Sequence, residues 1–326
     1  CGSRFRVEVS GVSSSNGILL SVVSPVYRAE GTVAELVRRL DAAAARVTDR
    51  YEIVLVEDRS PDGSWERIVE AARENPRVKG ARLARNFGQH AAITAALDLA
   101  RGDYVVVLDC DLQHDPDEIP AMVAKAREGY DIVLARHEER QHAAVRNVGA
   151  TLFRWMNTLL SGQDQVATNL GTFSLLTRKV VDAFLRLPEA HRHYLHILKW
   201  LGFRVAYVDV QHLERHSGTS SYNLFKLVRH AVHGTIGQSR RLLHFAVILG
   251  LLYVLAALLA TLVIVVMYLN SGFREGWASL VVIILMSTGC ILMTLGILGL
   301  YIGAIFDQVR GRPLFIIDQT TDDAPN

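Results

Sequence analysis

The sequence predicts an α/β domain built on a mostly parallel sheet, followed by an interfacial amphipathic helix and two transmembrane helices. Three observations carry this reading. Short apolar runs alternate with segments of helical period from Leu19 to Leu108, the pattern of parallel strands joined by crossover helices. Further on, Phe245 to Tyr268 and Ala278 to Phe306 contain no formal charge, and each exceeds the roughly 20 residues that span a bilayer. Before the first of these, Tyr222 to Arg241 interleaves Leu224, Leu227, Val228, Ala231 and Val232 with Lys226, Arg229, His230 and His233, which suits a helix lying in the membrane interface.

Taken in order, residues 1–17 are polar and Ser/Gly-rich without sustained periodicity, and are expected to be disordered. The first strand, Leu19 to Val23, runs to Pro25. Thr32 to Val47 then carries Val33, Leu36, Val37 and Leu40 at helical spacing. A second strand, Glu52 to Val56, closes on the turn Asp58-Arg-Ser-Pro-Asp-Gly63 and is followed by a helix from Ser64 to Glu74. Strand Val78 to Leu83, helix Gln89 to Arg101 and strand Tyr104 to Leu108 continue the series. Beyond it come a strand at Ile132 to Ala135, an amphipathic helix at Arg146 to Leu160, strands at Phe173 to Leu176 and Val205 to Val210, and helices at Arg178 to Leu187 and Tyr194 to Trp200. The expected organisation is a catalytic domain over 18–221, the interfacial helix over 222–243, the two spans within 244–306 and a cytosolic tail over 307–326.

The charge pattern sets the expected topology. Arg240 and Arg241 precede the first span and Arg310 and Arg312 follow the second, so the large domain and both termini should be cytoplasmic in a multi-pass inner-membrane protein. The net charge of +2 is too small to argue for nucleic acid. Cys1, Cys110 and Cys290 lie far apart with no metal-ligand spacing, which implies free thiols in a reducing compartment.

In open parallel sheets ligands bind beyond the carboxyl ends of the strands. Three segments fall there: Pro25-Val-Tyr-Arg-Ala-Glu30, Glu57-Asp58 and Asp109-Cys-Asp-Leu-Gln113. Carboxylates at i and i+2 after a buried strand repel each other unless a cation compensates them. Mg²⁺ or Mn²⁺ held by one or two carboxylates plus substrate phosphates would do so, with Asp111 as anchor and Gln113 beside it. Alone, Asp-x-Asp is a weak motif, and a solvated acidic turn accounts for it more readily than a metal site.

The ordered set Pro25-Val-Tyr27, Val56-Glu-Asp58 with Ser60-Pro-Asp-Gly63, Arg85-Asn-Phe-Gly-Gln-His90, and Leu108-Asp-Cys-Asp-Leu-Gln-His114 with Pro116-x-Glu118 resembles the family 2 glycosyltransferases of the GT-A, Rossmann-like fold. Within them it is similar to the polyprenyl-phosphate branch: dolichyl-phosphate mannose synthases, undecaprenyl-phosphate glucosyltransferases and the formamidoarabinose transferase. Glu214-Arg-His-Ser-Gly-Thr-Ser-Ser-Tyr222 and Tyr301-Ile-Gly to Val309-Arg-Gly-Arg-Pro313 extend the likeness over about residues 19 to 317. The resemblance implies inverting transfer of a sugar from a nucleotide donor to a polyprenyl phosphate, in a membrane-bound homotetramer. It also implies roles. Pro25, Tyr27 and Glu30 would line the nucleotide pocket, Asp58 would bind the base, and Asp109 would approach the ribose and diphosphate. Asp111 and Gln113 would hold the metal, while Arg136, Arg140, Arg215 and Ser220 would receive the acceptor phosphate. Asp109, Asp111 and Arg215 are the candidate catalytic residues. The Gln89-His90 pair resembles the formamidoarabinose branch and other segments the glucosyl transferases, which favours a UDP-linked donor over GDP-mannose.

Two departures stand out. Relatives often carry Gly-Asp-Phe-Arg where this chain has Gly171-Thr-Phe-Ser174, so an aspartate sometimes proposed as base is Thr172. They often have Phe-Leu-Arg where this chain has Tyr194-Leu-His196. Neither change need abolish transfer, because a phosphate monoester is largely ionised at pH 7 and needs no general base. His191, His193 and His196 do not share one helix face, which argues against a metal site. Competing readings are a processive polysaccharide synthase, echoed faintly in Gln238-Ser-Arg-Arg-Leu242, and a non-catalytic membrane scaffold with a degenerate transferase domain.

Overall fold

The computed structural model describes residues 17–137, 170–189, 192–210 and 277–322, with isolated positions between 250 and 266. Contacts divide the chain into two units: Cys1–His142 with Val166–Ser220 and Arg312–Asn326, and Ala143–Gln165 with Ser221–Gly311.

In the first unit β1 (Leu20–Val26), α1 (Val33–Ala45), β2 (Tyr51–Glu57), α2 (Ser64–Glu74), β3 (Val78–Leu83), α3 (Gln89–Leu99) and β4 (Tyr104–Val107) alternate as the sequence pattern implies. A 3-10 turn, Pro116–Glu118, leads into α4 (Ile119–Arg127), a helix not anticipated above. Then come β5 (Ile132–His137), β6 (Leu170–Thr177), α5 (Arg178–Leu185), α6 (Tyr194–Leu201) and β7 (Val205–Val210). In the second unit α7 spans Trp277–Val309, and the chain re-enters the first unit as β8 (Ile317–Thr320).

All eight strands form one sheet, in the order β7-β5-β6-β4-β1-β2-β3-β8. The expectation of a mostly parallel sheet is corrected to a mixed one. β1–β2, β1–β4, β2–β3 and β5–β7 pair in parallel, but β6 runs antiparallel to both β4 and β5, and β8 runs antiparallel to β3. The apolar content of a strand reports burial and not direction, which is why β6 read like its neighbours.

Every residue of β1 and of β2 is buried, as central strands covered on both faces must be. Alternate residues of β2 enter opposite layers. Ile53 and Leu55 join Leu36 and Leu40 of α1, Ile68 of α2 and Met122 of α4; Val54 and Val56 join Ile93 and Leu97 of α3, Phe184 of α5 and Ile197 of α6. Fully burying a side chain of this size contributes about 1.5–3 kcal/mol, so the two layers supply the main driving force for the fold.

The segment 307–326, set apart above as a tail, belongs in part to the sheet through β8, and α7 continues past the expected end of the span to Val309. Within α7, Met286–Val309 has a mean hydropathy of 2.1 and is long and apolar enough to cross a membrane. Leu280, Ile283, Met286, Leu295, Ile302 and Phe306 are exposed on it. The other expected span, 245–268, lies mostly outside the described residues, as do the helices expected at 146–160 and 222–241.

Candidate active site

The chain adds β2 and β3 to one side of β1 and then places β4 on the other, so the strand order reverses between β1 and β4. Such a switch point leaves a crevice at the carboxyl ends of the two strands, because their following loops diverge to opposite sides. The loop after β1 carries Tyr27 to Glu30, and the loop after β4 carries Asp109 to Gln113. They meet directly, with the Thr32 hydroxyl donating to the Cys110 carbonyl at 3.3 Å. Among the described residues, the non-glycine positions with positive φ are Arg28, Arg59 and Leu112. Each lies just past β1, β2 or β4, and such backbone conformations persist only where surrounding contacts impose them.

Hydrogen bonds fix the loops after β1 and β2 to each other. The Asp62 carboxylate accepts from the Ser60 and Ser64 hydroxyls, both at 2.6 Å, and from the Glu30 amide at 3.2 Å. In return the Glu30 carboxylate accepts from the Gly63 amide at 3.1 Å. Ser60 and Ser64 also accept from the amides of Arg28 and Ala29, at 2.7 and 2.9 Å. Glu30 thus braces the turn Ser60-Pro-Asp-Gly63. Pro25 is buried at the end of β1, while Tyr27 is 44% exposed at the rim.

Asp58 is buried, and its two oxygens accept from the amides of Phe87 and Gly88 at 2.7 and 2.8 Å. Its carbonyl accepts from the Asn86 side chain at 3.2 Å. Burial holds the Asp58 carboxyl above the usual range, opposed by those two amides. Each carboxylate oxygen has two lone pairs, so Asp58 can organise the β3–α3 loop and still accept from a ligand. Glu57 beside it is fully buried against Arg82 at 3.1 Å.

Asp109 is the next link. Its Oδ1 accepts from the Gln89 side chain at 2.7 Å, so the start of α3 reaches across to the end of β4. Burial raises the Asp109 carboxyl, the Thr172 hydroxyl and Gln89 pull it down, and the charge of Asp111 pushes it up. Thr172 arrives there because β6 is antiparallel to β4: Val107 faces Ser174, and two further steps bring residue 172 opposite residue 109. Asp111 accepts from the Gln113 amide at 3.2 Å, which closes a tight turn. Cys110 between the two acids is half-buried, and desolvation of its thiol pushes it up to about 11 and keeps it unreactive.

Crowded carboxylates with neutral donors suit a divalent cation shared with ligand phosphates. Among the described residues no group of three or more His, Cys, Asp or Glu is placed to hold a metal by protein ligands alone.

Arg136 lies at the carboxyl end of β5, but its guanidinium forks onto Asp209 of β7, with Nε at 2.7 Å and an Nη at 3.2 Å. Arg140, Arg215 and Ser220 lie outside the described residues. Sequence reasoning missed the histidine row in which the His90 ring lies tilted against His193 at 4.6 Å and His193 meets His196 edge-on at 4.3 Å. Burial, with His90 and His196 alongside, holds His193 down at about 4, so it is neutral at pH 7. Residue spacing within α6 could not reveal a row completed from α3. Gln89 carried a signal, its place at the helix start after the positive-φ Gly88, but not one that named Asp109 as its partner.

The profile of glycosyl transferase family 2 matches residues 21–185. An uncharacterized glycosyltransferase of Bacillus subtilis (strain 168) is 34% identical over 311 residues, covering 94% of this chain and 95% of the relative. The undecaprenyl-phosphate 4-deoxy-4-formamido-L-arabinose transferase of Klebsiella pneumoniae is 34% identical over 308 residues, covering 92% of this chain and 93% of the relative. The crystal structure of a mycobacterial protein matches with a TM-score of 0.48 at 19% identity, covering 68% of this chain and 74% of that one. With its family profile running from β1 to the end of α5 and relatives matched along nearly their whole length, this chain belongs to glycosyltransferase family 2.

Proposed function

We propose that this glycosyltransferase moves a single sugar, with inversion, from a UDP-linked donor onto undecaprenyl phosphate at the cytoplasmic face of the inner membrane. The observation that carries the reading is the Asp109–Asp111 pair at the β1/β4 switch point, in a chain that also holds an exposed apolar helix of membrane-spanning length. The named activity of the formamidoarabinose transferases, similar over nearly their full length, supports a polyprenyl-phosphate acceptor.

In this reading Pro25, Tyr27, Glu30 and Asp58 form the nucleotide side. Asp109, held by Gln89, faces the ribose and diphosphate. Asp111 and Gln113 would hold Mg²⁺ or Mn²⁺, which supplies positive charge for the departing nucleoside diphosphate. The acceptor phosphate is ionised at pH 7, so its oxygen attacks the anomeric carbon without a base, and Thr172 is left to polarise and orient Asp109. Arg215, Arg140 and Ser220 receive the acceptor phosphate, joined by Arg136 if it exchanges Asp209 for phosphate oxygens. A guanidinium suits either anion because its forked donors match both.

The test is a panel of radiolabelled nucleotide sugars incubated with the purified full chain and undecaprenyl phosphate. We expect one UDP-linked donor to give a lipid-phosphate-linked monosaccharide. Long-chain product would instead establish a processive synthase, and no turnover of any donor would establish a scaffold.

A further inference from the structure

The segment that follows the long apolar helix returns to the sheet and touches the loop assigned to the nucleotide. β8 pairs antiparallel with β3, Arg82 facing Gln319 and Ala81 facing Thr320. Backbone bonds bracket the pairing at both ends, Ala84 amide to Ile316 carbonyl and Thr321 amide to Gly80 carbonyl, each at 2.9 Å. The Gly80 amide also donates to the Thr321 hydroxyl at 3.0 Å. The approach there requires glycine: a Cβ on Gly80 would stand 2.7 Å from the Thr321 methyl and 2.4 Å from Ile68. The position is therefore closely built and not an incidental contact of a chain end.

From this strand Asp318 accepts a hydrogen bond from Arg59 at 2.8 Å. Arg59 is one of the residues with positive φ, at 53° for Arg28, 51° for Arg59 and 60° for Leu112. An arginine gains nothing of its own from that backbone conformation, which glycine, asparagine and aspartate tolerate far better. Asp318 supplies the outside hold. The next residue back is Asp58, whose carboxylate grips the amides of Phe87 and Gly88, and the next residue along is Gln89, which grips Asp109. A continuous series of short polar contacts thus runs from β8 through the loops after β2 and β3 to the acidic pair.

We infer that Asp318 is a positioning residue for the nucleotide-binding loops: by holding Arg59 it sets Asp58 and, through the start of α3, Asp109. The inference rests on the nucleotide assignment above for its ligand but not for its mechanics. Both partners are roughly half-exposed, so the pair adds little to global stability, and its effect should be local.

The experiment uses the full chain in detergent micelles. In Asp318→Ala, amide hydrogen exchange should speed up about threefold or more at residues 59–63 and 87–89, with amides of β1 and β4 unchanged. Binding of UDP in the presence of Mn²⁺, read by calorimetry, should weaken about two- to fivefold. The exchange pair Arg59→Asp with Asp318→Arg should restore both readouts, since aspartate tolerates the positive φ at residue 59. Unchanged protection in Asp318→Ala, or a double variant no better than the single one, would overturn the inference. Should the unmodified chain bind neither UDP nor GDP while the exchange results hold, the positioning stands and the nucleotide assignment falls.

Discussion

The two ends of the central strands hold carboxylates in opposite ways. At the amino end Glu52 is satisfied by fixed partners: the Ser21 hydroxyl and the Arg101 amide on one oxygen, and Lys79 on the other, each at 2.7 Å. At the carboxyl end the hydrogen bond described to the Asp109 carboxylate comes from the neutral Gln89 side chain, and a second carboxylate lies two residues away. The left-handed, non-glycine residues gather at this same end. One edge is closed in charge and geometry, and the other is left short of positive charge. Such a deficit at the carboxyl end suits a ligand that carries cations or donors.

Four variants can break or sharpen that contrast. Asp111→Ala should have the largest effect, a hundredfold or greater loss of transfer, about 2.7 kcal/mol, in a protein that stays folded; activity within about threefold at saturating donor would remove Asp111 from the metal site. Glu52→Gln places an amide NH₂ among donors and should cost about 2–3 kcal/mol of stability by chemical denaturation, with turnover per folded molecule unchanged. A larger loss of turnover than of stability would mean that the two edges are coupled.

Asp109→Asn should abolish most transfer yet stabilise the protein. Because burial raises the folded-state value of this carboxyl, its contribution to stability is complete at low pH and is lost as pH rises through that raised value. Removing the charge should therefore raise the unfolding midpoint at pH 7.5 without added metal, by the equivalent of about 0.5–2 kcal/mol, and the gain should vanish near pH 4. A lower midpoint at pH 7.5 would place Asp109 with Glu52 among the structural carboxylates. The smallest effect is expected for Thr172→Ala, a change in activity within about threefold, since an ionised acceptor needs no base. A hundredfold loss there would make the Thr172 hydroxyl part of the chemistry.

Local pattern carried much of this molecule. The observed bounds of α2 and β3 coincide with the expected Ser64–Glu74 and Val78–Leu83, because each has one clear period and a turn on either side. The acidic turn after β4 and the loop after β2 were recognisable for the same reason, since a buried run ending in Asp or Glu leaves few structural explanations. α4 was overlooked because Pro120 and the acidic Asp115-Pro-Asp-Glu118 before it read as loop, although proline is well placed in a first helical turn. The Asp209 partner of Arg136 was hidden for another reason: it comes from a strand 73 positions away, brought alongside only by the parallel β5–β7 pairing.

What the sequence by itself determined is the content of each element, the family and the residues that can carry charge to the site, because period, turn chemistry and motif spacing are properties of neighbours along the chain. What only the tertiary structure decided is who meets whom: β6 reversed between β4 and β5 so that Thr172 comes opposite Asp109, His90 packed at a tilt against His193, and Asp318 of the last strand placed on Arg59. β8 shows the reason most plainly. Ile-Asp-Gln-Thr has no period and little apolar surface to announce a strand, and it becomes one only because β3 presents an unpaired edge whose amides and carbonyls lower their free energy by pairing with it.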